Sequence, residues 1–154
     1  MSDVAAITER EIALISCFIA HLNEEQECLK RADSSTLQEI SAAKIELVDQ
    51  LNALEIERRS ALGIAGDVNT RQAMSEWLKT HPEAQTAAVN WENLLNLAKE
   101  AKQLHELNAH LVNMHLQQTS EALTILTRQS EQHTLYGSNG QTSQNSGSRI
   151  VDSA

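Results

Sequence analysis

Apolar residues return every three or four positions along most of this chain. Val4, Ile7, Leu14, Ile15, Phe18, Leu22 and Leu29 mark a first helix from about Asp3 to Arg31. The segment "ADSSTLQE" interrupts it. Asp33, Ser34 or Ser35 can serve there as N-cap, and Ser35 with Gln38 has the spacing of a capping box. A second helix then runs to about Leu62, with Ile40, Leu47, Leu51, Leu54 and Leu62 as its stripe.

Folded back on each other as an antiparallel pair, these two helices match when facing positions have numbers that sum to 69. Leu29 then meets Ile40, Leu22 meets Leu47, Phe18 meets Leu51, Ile15 meets Leu54 and Ile7 meets Leu62. The same register sets Glu25 against Lys44 and Glu11 against Arg58. Two heptad-like stripes can be slid into some agreement, so the opposite-sign pairs give the register its weight. They read as register devices at the edge of a helical seam.

In "GIAGDVNT", Gly63 is placed to end the second helix and Asp67 or Asn69 to cap the next. A short helix from about Thr70 to Lys79 carries Met74, Trp77 and Leu78, and His81-Pro82 ends it. From Glu83 to about Glu131 there is neither Gly nor Pro, which predicts one long helix of roughly 70 Å. It should overhang the first two, each roughly 40 Å long.

Near its end, Leu104, Leu107, Leu111, Met114, Ala122, Ile125 and Leu126 share one face. Val112, Leu116 and Leu123 make a flanking stripe, and Asn108, His115 and Gln118 interrupt the main one. More apolar surface than its own fold can cover makes this a candidate for binding another chain's helix; a helix that bends back or self-associates is the alternative.

The pattern fades after Glu131. Of the 23 residues from Gln132 to Ala154, 15 are Gly, Ser, Thr, Asn or Gln. A flexible polar tail is expected over 132–154, following a helical domain over 1–131.

Composition sharpens this picture. Hydrophobic residues are 41% but aromatics 3%, with five Gly and one Pro in 154 residues, so an all-α fold is expected: an antiparallel helical hairpin plus a long third helix, as a three-helix bundle or coiled coil. The net charge of −9 and the lack of any Lys/Arg cluster argue against nucleic acid or an anionic membrane as partner. No stretch approaches a membrane span, and Asp3, Glu9 and Glu11 occupy the place of a signal's basic and apolar regions; the expected location is cytoplasmic. Cys17 and Cys28 stand eleven residues apart, roughly 16 Å along one helix, and cannot bridge within it.

No catalytic, cofactor or metal site is expected. His105, His110 and His115 are five apart, so successive rings turn by about 140° and leave the i, i+4 spacing that metal ligation wants. "GSNG" lacks the strand and helix of a phosphate loop, and no Ser or Cys nucleophile has a base beside it.

One segment is more specific. "LYGSNGQTS" after a long helix, inside a Gln/Ser/Asn tail, closely resembles the C-terminal signature of FlgN-type flagellar export chaperones. "KIELVDQLNALEIERRSAL" (Lys44 to Leu62) resembles that family's second helix, and "LHELNAHLVNMHLQ" its third, with Asn108 as the recurrent polar position.

The resemblance implies a cytoplasmic chaperone of flagellar type III export, acting by binding rather than catalysis. It binds the hook-filament junction proteins, keeps them unassembled and delivers them to the export gate. Leu111, Val112, Leu116, Leu123, Ile125 and Leu126 are the residues assigned to cargo. Leu135, Tyr136 and Gly137 are assigned to the gate. A monomer or weak homodimer is expected on this reading; the alternative is a structural coiled-coil adaptor that dimerises through the long helix.

Overall fold

A computed structural model describes residues 3–64, 66 and 69–137, with side chains described as far as 132. Four helices follow one another: α1 (Val4–Lys30), α2 (Leu37–Ala61), α3 (Thr70–Thr80) and α4 (Gln85–Gly137). Among the described residues there is no strand. The all-α expectation holds, and α4 continues past its expected end near Glu131. The chain divides into two compact units, Met1–Leu111 and Val112–Ala154.

Local chemistry sets the helix ends of the first unit. Asp3 caps α1 by accepting from the Ala5 N–H at 3.1 Å. At its other end the Asp33 N–H reaches the Cys28 carbonyl and the Ala32 N–H that of Leu29, the paired bonds of a Schellman motif. That motif needs a left-handed residue, and Ala32 takes the role with φ 53°. α2 ends in the same way: Ile64 donates to Arg59 and Gly63 to Ser60, with Gly63 at φ 73° as its spacing predicted.

The start of α2 departs from expectation. Thr36 is the N-cap and makes no side-chain capping bond. The expected capping box is absent because Ser35 is already engaged, donating its N–H and its hydroxyl to Asp33 Oδ1 at 3.0 and 2.7 Å. These bonds, chiefly the hydroxyl's, hold the Asp33 carboxyl below the usual carboxylate range. Asn69 caps α3, accepting from the Arg71 and Gln72 N–H groups.

Position sums of 69 are realised between α1 and α2. Arg58 donates from Nε to Glu11 Oε1 at 2.8 Å and from Nη2 to Oε2 at 3.2 Å. Lys44 Nζ lies 2.7 Å from Glu25 Oε2. The apolar seam agrees, with Ile7, Ile15, Leu22, Leu29, Ile40 and Leu54 all buried.

α4 completes the core. Ala87, Trp91, Leu94 and Ala101, stepping along one helical face, pack with Val4, Ile15, Ile19, Leu22 and Met74. Full burial of a side chain such as Leu22 or Met74 contributes about 1.5–3 kcal/mol. Two asparagines fix α4 alongside α1. Asn90 Nδ2 donates to the Ala5 carbonyl at 3.2 Å, and Asn108 Nδ2 to the Leu22 carbonyl at 2.9 Å. The numbers rise together on the two helices, so α4 runs parallel to α1 and antiparallel to α2.

Each ion pair is thereby drawn into a three-helix node. The Arg58 guanidinium lies over the Trp91 ring, 4.8 Å from its centroid. Asn108 Nδ2 also donates to Glu25 Oε1 at 2.9 Å. The Glu11–Arg58 pair thus sits inside the bundle, not at its edge, with each side chain 5% exposed. A buried pair of this kind adds little net stability, whereas removing one partner costs about 3–5 kcal/mol; its service is to penalise other registers.

Candidate binding face of the long helix

Asn108 is the last buried residue of α4 among those described. After it the sequence stays a strong helix former with neither Gly nor Pro up to Gly137, and local bonds support the backbone. Gln117 Nε2 donates to Glu121, and the Thr124 and Thr127 hydroxyls donate back to the Ser120 and Leu123 carbonyls at 2.9 and 2.8 Å. These two hydroxyls are thus turned onto their own helix.

The apolar side chains of this stretch face water. Leu116 is 63% exposed, Leu123 58%, Ile125 54% and Leu126 60%, with Val112 and Met114 also exposed. Leu111, the last residue of the first unit, is half-buried. At about 100° per residue, Val112, Leu116 and Leu123 fall within about 40° of one another, while Ile125 and Leu126 form the adjoining stripe. The five assigned cargo residues of the second unit therefore lie on one broad side of its helix, all of them exposed. Met114 belongs with them, at the edge of the second stripe, and its place in the helical period was readable from sequence.

What such a face offers is adhesion. Leucines and isoleucines exposed along a helix suit an amphipathic helix or segment from another chain. Among the described residues no group of His, Cys, Asp and Glu is arranged to hold a metal ion. No helix among them is long and apolar enough to cross a membrane.

Leu135, Tyr136 and Gly137 fall in the last turn of α4 by backbone; their side chains lie outside the described residues, as does the chain from Ser138 onward. The two cysteines are free, Cys17 exposed and Cys28 buried with its Sγ 3.3 Å from the Thr36 hydroxyl. Exposed Ile45, Val48 and Ile56 form a further stripe on α2 that the sequence pattern had not singled out. Its intervening polar residues, such as Asp49 and Asn52, hide it in a linear reading.

The family described as FlgN protein matches residues 1–144, a span that takes in all four helices and the whole of "LYGSNGQTS". The chain belongs to the FlgN family. Its FlgN character extends to a curated relative, the flagella synthesis protein FlgN of Escherichia coli (strain K12), 26% identical over 145 residues that cover 93% of this chain and 92% of that one. No solved structure matches the chain. Within the FlgN frame, the exposed stretch of α4 and the motif that follows it lie inside the matched span.

Proposed function

We propose that the protein is a cytoplasmic flagellar export chaperone that binds the hook-filament junction proteins, keeps them unassembled and hands them to the export gate. FlgN membership supports the chaperone role. The observation that carries the finer reading is the run of exposed Leu116, Leu123, Ile125 and Leu126 on one side of a helix held by its own local bonds. A segment that is disordered as a monomer and helical once assembled would find its apolar face covered there. The chemistry is binding without catalysis.

Leu111, Val112, Leu116, Leu123, Ile125 and Leu126 are assigned to the junction protein, and Leu135, Tyr136 and Gly137 to the gate. Cargo and gate contacts then occupy neighbouring stretches of one helix, so a chaperone can engage the gate while loaded.

Pull-down of junction proteins with Leu123→Asp and Leu126→Asp combined tests the first assignment. Loss of capture with retained helicity is expected, and intact capture would sink it. Tyr136→Ala should lose gate binding while keeping cargo. Light scattering adds the oligomeric state: a one-to-one complex with a junction protein supports the chaperone, whereas a stable dimer indifferent to cargo reassigns the face to self-association.

A further inference from the structure

Outside the cargo face, the first unit holds a cleft of about 400 Å³ between α3 and α4. Leu78, Trp91 and Leu95 line its apolar part, and Arg71, Ser75 and Lys79, in four-residue steps on α3, line the rest. Arg71 and Lys79 are exposed and have no ion-pair partner among the described residues.

Lys99 and Lys102 are likewise exposed with no ion pair among the described residues, whereas other cations of the unit are engaged. Arg10, Lys30, Lys44 and Arg58 each pair with a carboxylate, and Arg59 is tied to Thr70 and Gly66. The nearest acid on α3, Glu76, lines the adjoining cleft and accepts from Gln72 Nε2 at 3.3 Å. Along α4, exposed Lys99 and Lys102 follow Leu95 on the same side by helical spacing, with exposed Glu92 before it.

We propose that this cleft docks an acidic peptide segment of another protein, an apolar side chain seated against Leu78, Leu95 and the Trp91 edge and flanking carboxylates on Arg71 and Lys79. Charge complementarity selects the occupant. On a chain of net charge −9, an acidic partner is repelled by most of the surface and attracted here, which gives the encounter one orientation. The apolar floor distinguishes the site from one for a bare anion, because it rewards a side chain and not a charge alone. The cleft uses no residue of α4 beyond Leu95, so it operates independently of the cargo face.

The test uses the full chain and a fluorescein-labelled peptide, Asp-Glu-Leu-Phe-Glu-Asp, read by anisotropy at low ionic strength. Its amide counterpart, Asn-Gln-Leu-Phe-Gln-Asn, is the control. The acidic peptide should bind, weaken with sodium chloride and lose about tenfold in affinity to Arg71→Gln with Lys79→Gln, a double variant of exposed residues whose folding a thermal melt verifies. Leu95→Ser should weaken both peptides, and Leu123→Asp with Leu126→Asp should leave binding unchanged.

Four outcomes overturn the proposal. They are absence of binding, equal binding of the amide control, equal binding by the Arg71/Lys79 variant, or displacement by inorganic phosphate beyond that of sodium chloride at matched ionic strength, which would indicate a bare-anion site.

Discussion

Arg58 and Glu11 meet through two hydrogen bonds, of 2.8 and 3.2 Å, in the interior of the bundle, with the Trp91 ring beneath the guanidinium. Neither charge has water to fall back on. Glu11→Leu should therefore destabilise the protein by about 3–5 kcal/mol, since it strands a buried cation. Adding Arg58→Leu should recover most of that loss, by urea midpoints compared across the cycle. A single variant as stable as the parent would show that the pair is not desolvated in solution.

Asn108 ties α1 to α4 through the Leu22 carbonyl and Glu25. Asn108→Ala leaves Glu25 with one partner fewer and should cost about 1–3 kcal/mol, with the charged acceptor at the upper end. Hydrogen exchange near Leu22 and Leu104 would rise with it. Unchanged stability and exchange would remove the asparagine from the list of contacts that seat α4.

Ala32 sits at φ 53° in the Schellman turn between α1 and α2, where a Cβ is strained. Ala32→Gly should raise stability by about 0.5–1 kcal/mol, the relief of strain exceeding the flexibility gained by the unfolded chain. A thermal melt gives the answer. A fall in midpoint would mean that the turn is not left-handed at this residue.

Asp33 offers a pH-dependent test in the same turn. Its folded carboxyl, held by the Ser35 hydroxyl and N–H, binds a proton less readily than the unfolded one. The unfolded chain thus takes up more protons, and stability from this group is present above the ordinary carboxylate pKa and lost as pH falls through the lowered value. The gap in unfolding midpoint between parent and Asp33→Ala should accordingly be widest near neutrality and close in acid. A constant gap would contradict the turn's dependence on the carboxylate.

For the cargo face the expectation is the reverse of that for the nodes. Leu123→Asp with Leu126→Asp changes residues that are 58% and 60% exposed, so each should shift stability by no more than about 0.5 kcal/mol while binding is lost. Large destabilisation would mean that the side chains are covered within the free protein.

Much of this arrangement was legible before any coordinates. Glu25 with Lys44 and Glu11 with Arg58 revealed the α1/α2 register because opposite charges at a single offset are rarer than apolar matches. Gly63 announced the end of its helix through chemistry that few other residues supply, and the next cap was narrowed to Asp67 or Asn69, of which Asn69 is the one used. What stayed hidden depends on a third helix. Nothing in a two-helix register says that Trp91 will lie beneath Arg58, or that Asn108, an apparent interruption of an apolar face, points inward to Glu25. The capping box failed for a local reason, since Asp33 competes for Ser35 and shifts the N-cap to Thr36. At the candidate site, periodicity gave the positions of Leu116, Leu123, Ile125 and Leu126 and helix length gave an overhang, but that the last buried residue would be Asn108 required the packed core.

The two ion pairs between α1 and α2, one buried and one half-buried, also shape how the protein behaves in a crowd of its own copies. Each cancels itself internally, so they subtract nothing from the net charge of −9, and that charge is carried by the rest of the chain. Like-charged particles keep their distance, and this colloidal repulsion holds adhesive surfaces such as Leu116 to Leu126 away from one another until a better-matched ligand arrives. Salt would shorten the range of that protection to about 3 Å at 1 M, so clumping at high ionic strength, relieved by dilution, is the signature it leaves.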